Sequence, residues 1–343
     1  MTDDQPARNR LTTADYVEGV LAGDRAMLAR AITLIESTVP AYMEQAQAVL
    51  QALMPHTGKS IRVGITGVPG AGKSTLIEAL GLMLAEQGHR VAVLAVDPSS
   101  TLSGGSILGD KTRMTALSRH PNAFIRPSPT RGTLGGVTSV SRETIFLCEA
   151  AGYDVILVET VGTGQSEVAV RSMVDFLLLV LIARAGDDLQ GMKKGTVELA
   201  DAIVINKADG DNVAAAQSAR AEYDRILHVA RSITLGWTPR AYTCSAQTNA
   251  GIPQLWEVVQ QFIDITQSNG FFEKRRQQQL ADWLNDLVQQ RVMQAFFGSQ
   301  LLQTALTSLR QQVLAGDLTA QTAANELLRW LIITPPPDKD EST

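Results

Sequence analysis

One short segment limits the possible folds of this chain more than any other, because it matches G-x-x-x-x-G-K-S/T, the signature of a phosphate-binding loop. Its residues are Gly67, Val68, Pro69, Gly70, Ala71, Gly72, Lys73 and Ser74. The segment follows the β-type run Arg62–Thr66 and precedes the helical run Thr75–Gln87, which is the context that such a loop requires. The sequence therefore predicts an α/β fold of the P-loop NTPase type.

Each part of the loop has its own task in this prediction. The glycines allow backbone N–H groups to surround phosphates at the positive end of a helix. Lys73 reaches the β and γ oxygens, the hydroxyl of Ser74 binds Mg²⁺, and Thr75 completes the phosphate-binding set. A glycine-rich turn without a ligand is the structural alternative. A Rossmann dinucleotide site is disfavoured, because Pro69 stands where its second glycine is needed.

The central region, residues 59–268, predicts a single domain built on a mostly parallel sheet. Short apolar β-type runs alternate there with helical segments, which is typical of a sheet covered by helices. The predicted strands are Arg62–Thr66, Val91–Val96, Ala123–Arg126, Val155–Glu159, Phe176–Ile182, Ala202–Asn206 and Ala241–Thr243.

Helical segments flank this domain on both sides. Residues 1–58 carry apolar positions at helical spacing and predict two or three helices. Residues 269–333 predict a C-terminal helical arm, and residues 334–343 a disordered tail. The arm contains an apolar stripe, which consists of Leu280, Trp283, Leu284, Leu287 and Val288. Such a stripe suits either packing on its own domain or dimerisation with a second chain.

A second motif predicts which base the nucleotide carries. Residues 206–209 read N-K-A-D, the form N-K-x-D, and they follow an apolar strand. The carboxylate of Asp209 can accept hydrogen bonds from the N1–H and the 2-amino group of guanine, neither of which adenine offers on that edge. The predicted ligand is therefore GTP or GDP with Mg²⁺. A polar turn at the end of a strand is the alternative interpretation.

The neighbouring residues have predicted roles around the same base. Lys207 would lie along the guanine ring, and Asn206 would tie the loops of the site together. The backbone of Ser245 and Ala246, just after the last strand, would contact the guanine O6.

Several acidic residues are candidates for holding Mg²⁺ or assisting hydrolysis. Glu159 ends a buried strand three residues before Gly162, which places a carboxylate near Mg²⁺ and a glycine N–H near the γ-phosphate. Asp97 follows another strand and Asp110 lies in a loop; their alternatives are a helix N-cap and a solvated charge. Gln165 is a candidate for orienting the attacking water, but it does not directly follow Gly162, and slow intrinsic hydrolysis is expected.

Composition argues against several other classes of function. The formal net charge of −5 disfavours nucleic-acid binding, which calls for a basic surface. Cys148 and Cys244 stand apart without a Cys/His cluster, so no structural metal site is predicted. The longest apolar run, Phe176–Ala183, is far shorter than the roughly 20 residues of a membrane span, and the first residues lack a signal-peptide pattern. A cytoplasmic protein with no membrane partner is expected.

With these residues in place, the chain resembles the MeaB/ArgK family, bacterial relatives of the human methylmalonic aciduria type A protein within a class of metallochaperone-like GTPases. The resemblance runs from Thr13 to Ile333. Its most specific segments are VDPSS (96–100), SGGSILGDKTRM (103–114), RGTLGG (131–136), VETVGTGQSE (158–167) and GDDLQGMKKG (186–195).

The resemblance implies a function and a homodimer. Proteins of this type protect adenosylcobalamin-dependent methylmalonyl-CoA mutase and gate its cofactor loading from a cobalamin adenosyltransferase, with GTP hydrolysis as the switch. It also implies that Lys73 and Ser74 bind phosphate and Mg²⁺, and that Asp97 is a catalytic carboxylate. Asp110 and Glu159 would belong to the first two switches and to the shell of the metal. The segment Gly186–Gly195 resembles a third switch that would couple the nucleotide to the mutase.

Two rival functions remain at this stage. An older family label suggests an ATP-dependent kinase of a basic amino-acid transport system, although the chain lacks the kinase motifs H-R-D and D-F-G. A regulatory module that merely senses GDP and GTP is the other. The first rival would use ATP, and the second would show no turnover that responds to a client.

Overall fold

The computed structural model describes residues 11–96, 114–127, 134–160, 166–183, 194–229 and 233–333. The chain divides into two compact units, Met1–Gln279 and Leu280–Thr343. The first unit contains the phosphate-binding loop.

Three helices open the described part of the chain: α1 (Thr13–Leu21), α2 (Arg25–Ile35) and α3 (Pro40–Leu53). Side chains cap the amino ends of α1 and α2. Thr12 accepts a hydrogen bond from the backbone N–H of Asp15, and Asp24 accepts from backbone N–H groups in the first turn of α2. Their apolar faces are buried in one cluster with Ala92, Ile156 and other sheet residues. The N-terminal helices thus share a hydrophobic core with the sheet.

A seven-stranded sheet occupies the centre of the described part of the first unit. Its strands are β1 (Ile61–Gly67), β2 (Val91–Val96), β3 (Ala123–Arg126), β4 (Val155–Thr160), β5 (Phe176–Ile182), β6 (Ala202–Asn206) and β7 (Arg240–Thr243). The order is β3-β2-β4-β1-β5-β6-β7, and every neighbouring pair is parallel. The predicted fold class is confirmed, and β1, β4 and β7 extend only one residue beyond their predicted ends.

Helices cover both faces of this sheet. They are α4 (Lys73–Glu86), α5 (Thr115–Arg119), α6 (Leu134–Ala150), α7 (Ser166–Arg171), α8 (Lys194–Leu199), α9 (Val213–Val229) and α10 (Ile252–Ser268). Side chains of a strand alternate between the faces, so Val155 and Leu157 of β4 join the core beside α4 and α10. Ile156 and Val158 join the core beneath α1–α3 and α6. Helix α4 begins earlier than predicted, because Lys73 and Ser74 of the loop form its first turn.

The parallel arrangement decides where a ligand can bind. The carboxyl ends of β1, β4, β6 and β7 lie along one edge of the sheet, which we call the carboxyl edge. In open α/β sheets ligands bind outside this edge. The opposite edge, the amino edge, contains the starts of the same strands.

The second unit is helical. Helix α11 (Phe271–Gly298) begins in the first unit and continues into the second, where α12 (Gln300–Ala315) and α13 (Ala320–Ile333) follow. Its small core contains Phe296, Leu302, Leu309, Ala323 and Leu327. Across the residues that the structure describes, every helix is too short or too polar to cross a lipid bilayer.

Candidate nucleotide-binding site

The phosphate-binding loop is closely packed against neighbouring strands. Gly67 has a φ of 147°, and a Cβ there would lie 2.0 Å from the carbonyl oxygen of Val180. Gly72 has a φ of 85°, and a Cβ there would lie 2.7 Å from Nδ2 of Asn206. Side chains are excluded at both positions by conformation and by space. The backbone therefore forms the narrow cradle that suits phosphate oxygens.

Lys73 is buried at the base of this loop. Its Nζ donates hydrogen bonds to the carbonyl oxygens of Gly67 at 2.8 Å and of Val68 at 3.2 Å. Burial lowers the pKa of the ammonium, and the negative charges of Glu159 and Glu167 oppose that shift. The two carbonyl oxygens hold the ammonium at the loop, in a place where phosphate oxygens would stabilise its charge further.

The predicted metal-binding pair lies beside the lysine. The hydroxyl of Ser74 donates a 2.8 Å hydrogen bond to Oε1 of Glu159. The pairing of β1 with β4 places Glu159 opposite Ile65, two residues before Gly67. A hydroxyl and a carboxylate are hard oxygen ligands of the kind that Mg²⁺ prefers, so the pair fits the ion.

Beneath this pair, a buried hydroxyl pair joins the two strands. Thr160 donates a 2.9 Å hydrogen bond to Oγ1 of Thr66, and neither residue is exposed to solvent. The bond links the start of the phosphate loop to the end of β4. The sequence interpretation missed it, although Thr66 directly precedes Gly67 and Thr160 directly follows Glu159.

Asn206 joins the phosphate loop to the base-binding loops. Its Nδ2 donates to the carbonyl oxygen of Ala71 at 2.8 Å. Its Oδ1 accepts from the backbone N–H of Ala246 at 3.2 Å and from the thiol of Cys244 at 3.5 Å. One buried amide therefore holds three chain segments in register. The thiol was not among the predicted site residues, and burial raises its pKa to about 12.

Asp209 and Ser245 are held together at the outer end of the site. The hydroxyl of Ser245 donates to Oδ2 of Asp209, and it also accepts from the backbone N–H of Thr248 at 3.2 Å. This leaves lone pairs of the Asp209 carboxylate for further donors. Lys207 has a φ of 59°, an uncommon left-handed conformation that sets the course of the loop between Asn206 and Asp209.

Several predicted residues fall outside the residues that the structure describes. They are Asp97, Asp110, Gly162, Gln165 and, from the segment Gly186–Gly195, the part that ends at Lys193. Glu167, which the sequence interpretation did not select, is described: it is buried in the first turn of α7.

Comparison with known proteins gives a consistent result. The model of a family described as methylmalonyl Co-A mutase-associated GTPase MeaB matches residues 28–300. A probable GTPase of Mycobacterium tuberculosis is 52% identical over 93% of this chain and 96% of that protein. The mitochondrial methylmalonic aciduria type A homolog of Mus musculus is 47% identical over 91% of this chain and 77% of that protein.

A solved structure extends the comparison to the fold. A crystal structure described as that of an LAO/AO transport system kinase has a TM-score of 0.78 and 38% identity. The match covers 95% of this chain and 99% of that one, so it includes both compact units.

Proposed function

This chain belongs to the MeaB family of methylmalonyl-CoA mutase-associated GTPases, and on that premise we propose that it is a GTP-driven chaperone of an adenosylcobalamin-dependent mutase. GTP hydrolysis itself is the activity of the family. The observation that carries a switching role is the position of Asn206, which bonds to the phosphate loop and to the base-binding loop at once. A change on either side of the nucleotide would reach the other through that side chain.

Different residues of the site are assigned to different parts of GTP and its metal ion. We propose that Lys73 and the loop backbone bind the β and γ oxygens, and that Ser74 and Glu159 hold Mg²⁺. When bound, the ion would neutralise part of the charge on the phosphate oxygens. Asp97 as a catalytic carboxylate and Asp110 as a further metal ligand remain predictions.

For the base, we propose that Asp209 accepts from the N1–H and 2-amino groups of guanine. The fixed position of its carboxylate against Ser245 supports this assignment, because a positioned acceptor discriminates better than a mobile one. Lys207 would cover the ring. The backbone at Ser245 and Ala246 would meet O6, with Ala246 held in place by Asn206.

The client is proposed from the family. We infer that the protein binds and protects methylmalonyl-CoA mutase and gates its loading with adenosylcobalamin from an adenosyltransferase. The family description names this mutase, and a close relative is a methylmalonic aciduria type A homolog. The test is GTP turnover at increasing mutase concentration, with Lys73→Ala protein as the control. Saturable stimulation of the wild type is expected, and turnover that ignores the mutase would contradict a chaperone role.

The coupling segment Gly186–Gly195 is proposed to contact the client. Its lysines, Lys193 and Lys194, are not needed for phosphates that Lys73 already meets. Replacing both by alanine should leave GTP affinity and basal hydrolysis nearly unchanged and remove stimulation by the mutase. Equal stimulation of the wild type and the double variant would mean that these lysines face solvent and do not couple GTP hydrolysis to the client.

The kinase alternative makes a different prediction about the nucleotide. The solved relative is described as a transport system kinase, and such an activity would use ATP. The Asp209 arrangement favours guanine instead. Competition titrations of GTP against ATP separate the two, because an ATP preference would reject the base-binding assignment.

The helical arm is proposed to hold two chains together. Within the second unit, Leu280, Leu284, Val288 and Val292 recur every four residues on α11, with exposures of 44%, 61%, 51% and 53%. An exposed apolar stripe at this spacing is typical of a helix that packs on a partner. Leu284→Lys with Val288→Lys should give a monomer in light scattering, whereas Gln289→Lys, at an exposed polar position, should not. A double variant that keeps the mass of a dimer would refute this role.

A further inference from the structure

A buried amide from the root of α11, which we define as Phe271–Gln279, holds the end of α7. Nε2 of Gln279 donates to the carbonyl oxygen of Arg171 at 3.2 Å and to that of Val174 at 2.9 Å. Carbonyls at a helix end lack partners within the helix and need donors from elsewhere. For the last carbonyl of α7, that of Arg171, Gln279 is that donor, and the carbonyl of Val174 belongs to the segment that follows the helix.

Arg142 of α6 completes the same contact. Its guanidinium donates to the carbonyl oxygen of Gln279 at 3.2 Å and to Oγ of Ser172 at 2.7 Å. Both residues are buried, with exposures of 5% for Arg142 and 8% for Gln279. A charge-assisted bond away from water is stronger and more directional than one at the surface. The end of α7, α6 and the root of α11 are therefore joined through two side chains.

A salt bridge fixes α7 to the sheet at the same point. The guanidinium of Arg171 donates to both oxygens of Asp201, at 2.5 Å and 3.1 Å. Asp201 is buried just before β6 and also accepts from the backbone N–H of Leu177 at 2.9 Å. The end of α7 is anchored on a rigid element.

The other end of α7 follows β4 closely in the chain, since the helix begins at Ser166, six residues after Thr160. Glu167, in its first turn, is buried. In between, Val170 packs so closely on β1 that a Cβ at Gly64 would lie 2.8 Å from its Cγ1. A helix of six residues is about 9 Å long. It therefore bridges the root of α11 and the surroundings of the phosphate loop over a short, closely packed distance.

We propose that Gln279 and Arg142 are positioning residues for GTP hydrolysis: by fixing the end of α7 they fix its first turn beside the phosphate loop. The bonds that Lys73 and Asn206 make to the phosphate loop, on which nucleotide binding is proposed to depend, do not pass through these two residues. Loosening α7 should therefore reduce turnover and leave nucleotide binding intact. This role concerns basal hydrolysis and does not depend on any client.

The test compares two glutamines on one helix in the full-length protein. Gln279→Ala removes the bond to the last carbonyl of α7 and the bond to the carbonyl of Val174, while Gln277→Ala changes an exposed residue two positions earlier. We expect kcat for GTP without a client to fall roughly five- to tenfold in Gln279→Ala, with KM and the GDP dissociation constant within about twofold of wild type. Gln277→Ala should match the wild type.

A milder variant protects the test against misfolding. Ser172→Ala removes the hydroxyl that accepts from Arg142 and donates to the carbonyl oxygen of Ala169 in α7, while the bonds of Gln279 remain, and a kcat decrease of roughly two- to threefold is expected. Thermal melts confirm that each variant is folded at the assay temperature. The proposal is overturned if folded Gln279→Ala and Ser172→Ala turn over GTP as fast as Gln277→Ala, or if their loss lies in KM alone.

Discussion

The two edges of the sheet use polar residues in opposite ways. At the carboxyl edge, Lys73 and Ser74 are bonded to groups that a nucleotide and its metal can compete for: two loop carbonyls and one carboxylate. At the amino edge, charged side chains are paired with each other. Arg62 binds both oxygens of Glu149 at 2.8 Å and 2.9 Å, and Arg276 does the same with Asp175.

Backbone groups strengthen the pairs at the amino edge. Glu149 also accepts from the N–H of Gly58 at 2.7 Å, and Asp175 from the N–H of Arg62 at 2.8 Å. Buried charges with this many partners are fixed in place, since losing any partner leaves a charge unsolvated. The comparison teaches that the amino edge holds the scaffold, while the donors and acceptors of the carboxyl edge are bonded to groups that a ligand could replace.

The largest expected effect comes from breaking the amino edge. Glu149→Ala would leave Arg62 buried without its carboxylate and should lower the free energy of unfolding by about 3–5 kcal/mol. Asp264→Ala, an exposed carboxylate on α10, should change it by less than about 0.5 kcal/mol. Urea denaturation measures both. Similar midpoints for the two variants would show that the amino-edge pairs do not hold the scaffold.

Next in size is the loss of the buried cation at the carboxyl edge. Lys73→Ala should lower kcat about 10²- to 10³-fold, because a charge aimed at the β and γ oxygens is removed. Lys59→Ala, an exposed lysine near the start of β1, is the matched control. Undiminished GTP turnover in folded Lys73→Ala protein would reject the role of the loop.

Stability should respond to that change differently from turnover. The folded-state pKa of Lys73 lies below its ordinary value of 10.5, so the unfolded chain holds the proton more firmly. The positive charge of the lysine consequently costs stability at neutral pH relative to its neutral form, and this cost disappears as pH rises toward 10.5. Lys73→Ala should therefore melt no lower than the wild type at pH 7, in contrast with Glu149→Ala. A marked loss of stability would mean that the two edges are alike in this respect.

The base-binding end of the carboxyl edge should show a smaller effect, confined to recognition. Asp209→Asn presents N–H donors where guanine also donates, so GTP affinity should fall about 10²-fold and XTP should bind better than GTP. Asp211→Asn, two residues further along and exposed, should bind GTP normally. A titration in which Asp209→Asn still prefers GTP would remove this loop from the guanine site.

The smallest expected effect is a difference between the two cysteines in their rate of chemical labelling. Burial raises the pKa of both thiols, that of Cys244 to about 12, so the folded protein should react slowly with iodoacetamide at pH 8. Cys244 bonds to Asn206 in the candidate nucleotide site, whereas Cys148 lies next to Glu149 of the amino edge. GTP at about ten times its dissociation constant should slow the labelling of Cys244 roughly tenfold and that of Cys148 less. Equal protection of both would show that the edges open together.

Most of the fold could be predicted because the sequence of a buried parallel strand is a short continuous run of apolar residues. β2, β3, β5 and β6 have the predicted bounds for this reason. The loop between β1 and α4 was predictable as well, since its glycines, lysine and serine lie within eight residues, and its binding of phosphate stays a prediction. The Thr66–Thr160 bond was not, because it depends on β1 and β4 being neighbours in the sheet.

The root of α11 illustrates the same limit. The sequence interpretation ended the domain at residue 268, where the composition changes, and that boundary stays a prediction. In the structure, Arg276 bonds to Asp175 and Gln279 to the carbonyl of Val174. Arg275 forms an ion pair with Asp201. Composition carries no signal for such pairs, because arginine and glutamine are common on helices that face solvent as well as on helices that form such contacts.

The sequence by itself determined the class of fold and predicted the residues that face phosphate and the motif that reads the base, because each depends on local conformation or on adjacent residues. Tertiary structure alone decided which side chains meet across the sheet: Ser74 with Glu159, Asn206 with Ala246, and Gln279 with the end of α7. Those contacts join segments that are distant in the chain. Their formation depends on strand order and helix packing, which no single segment encodes.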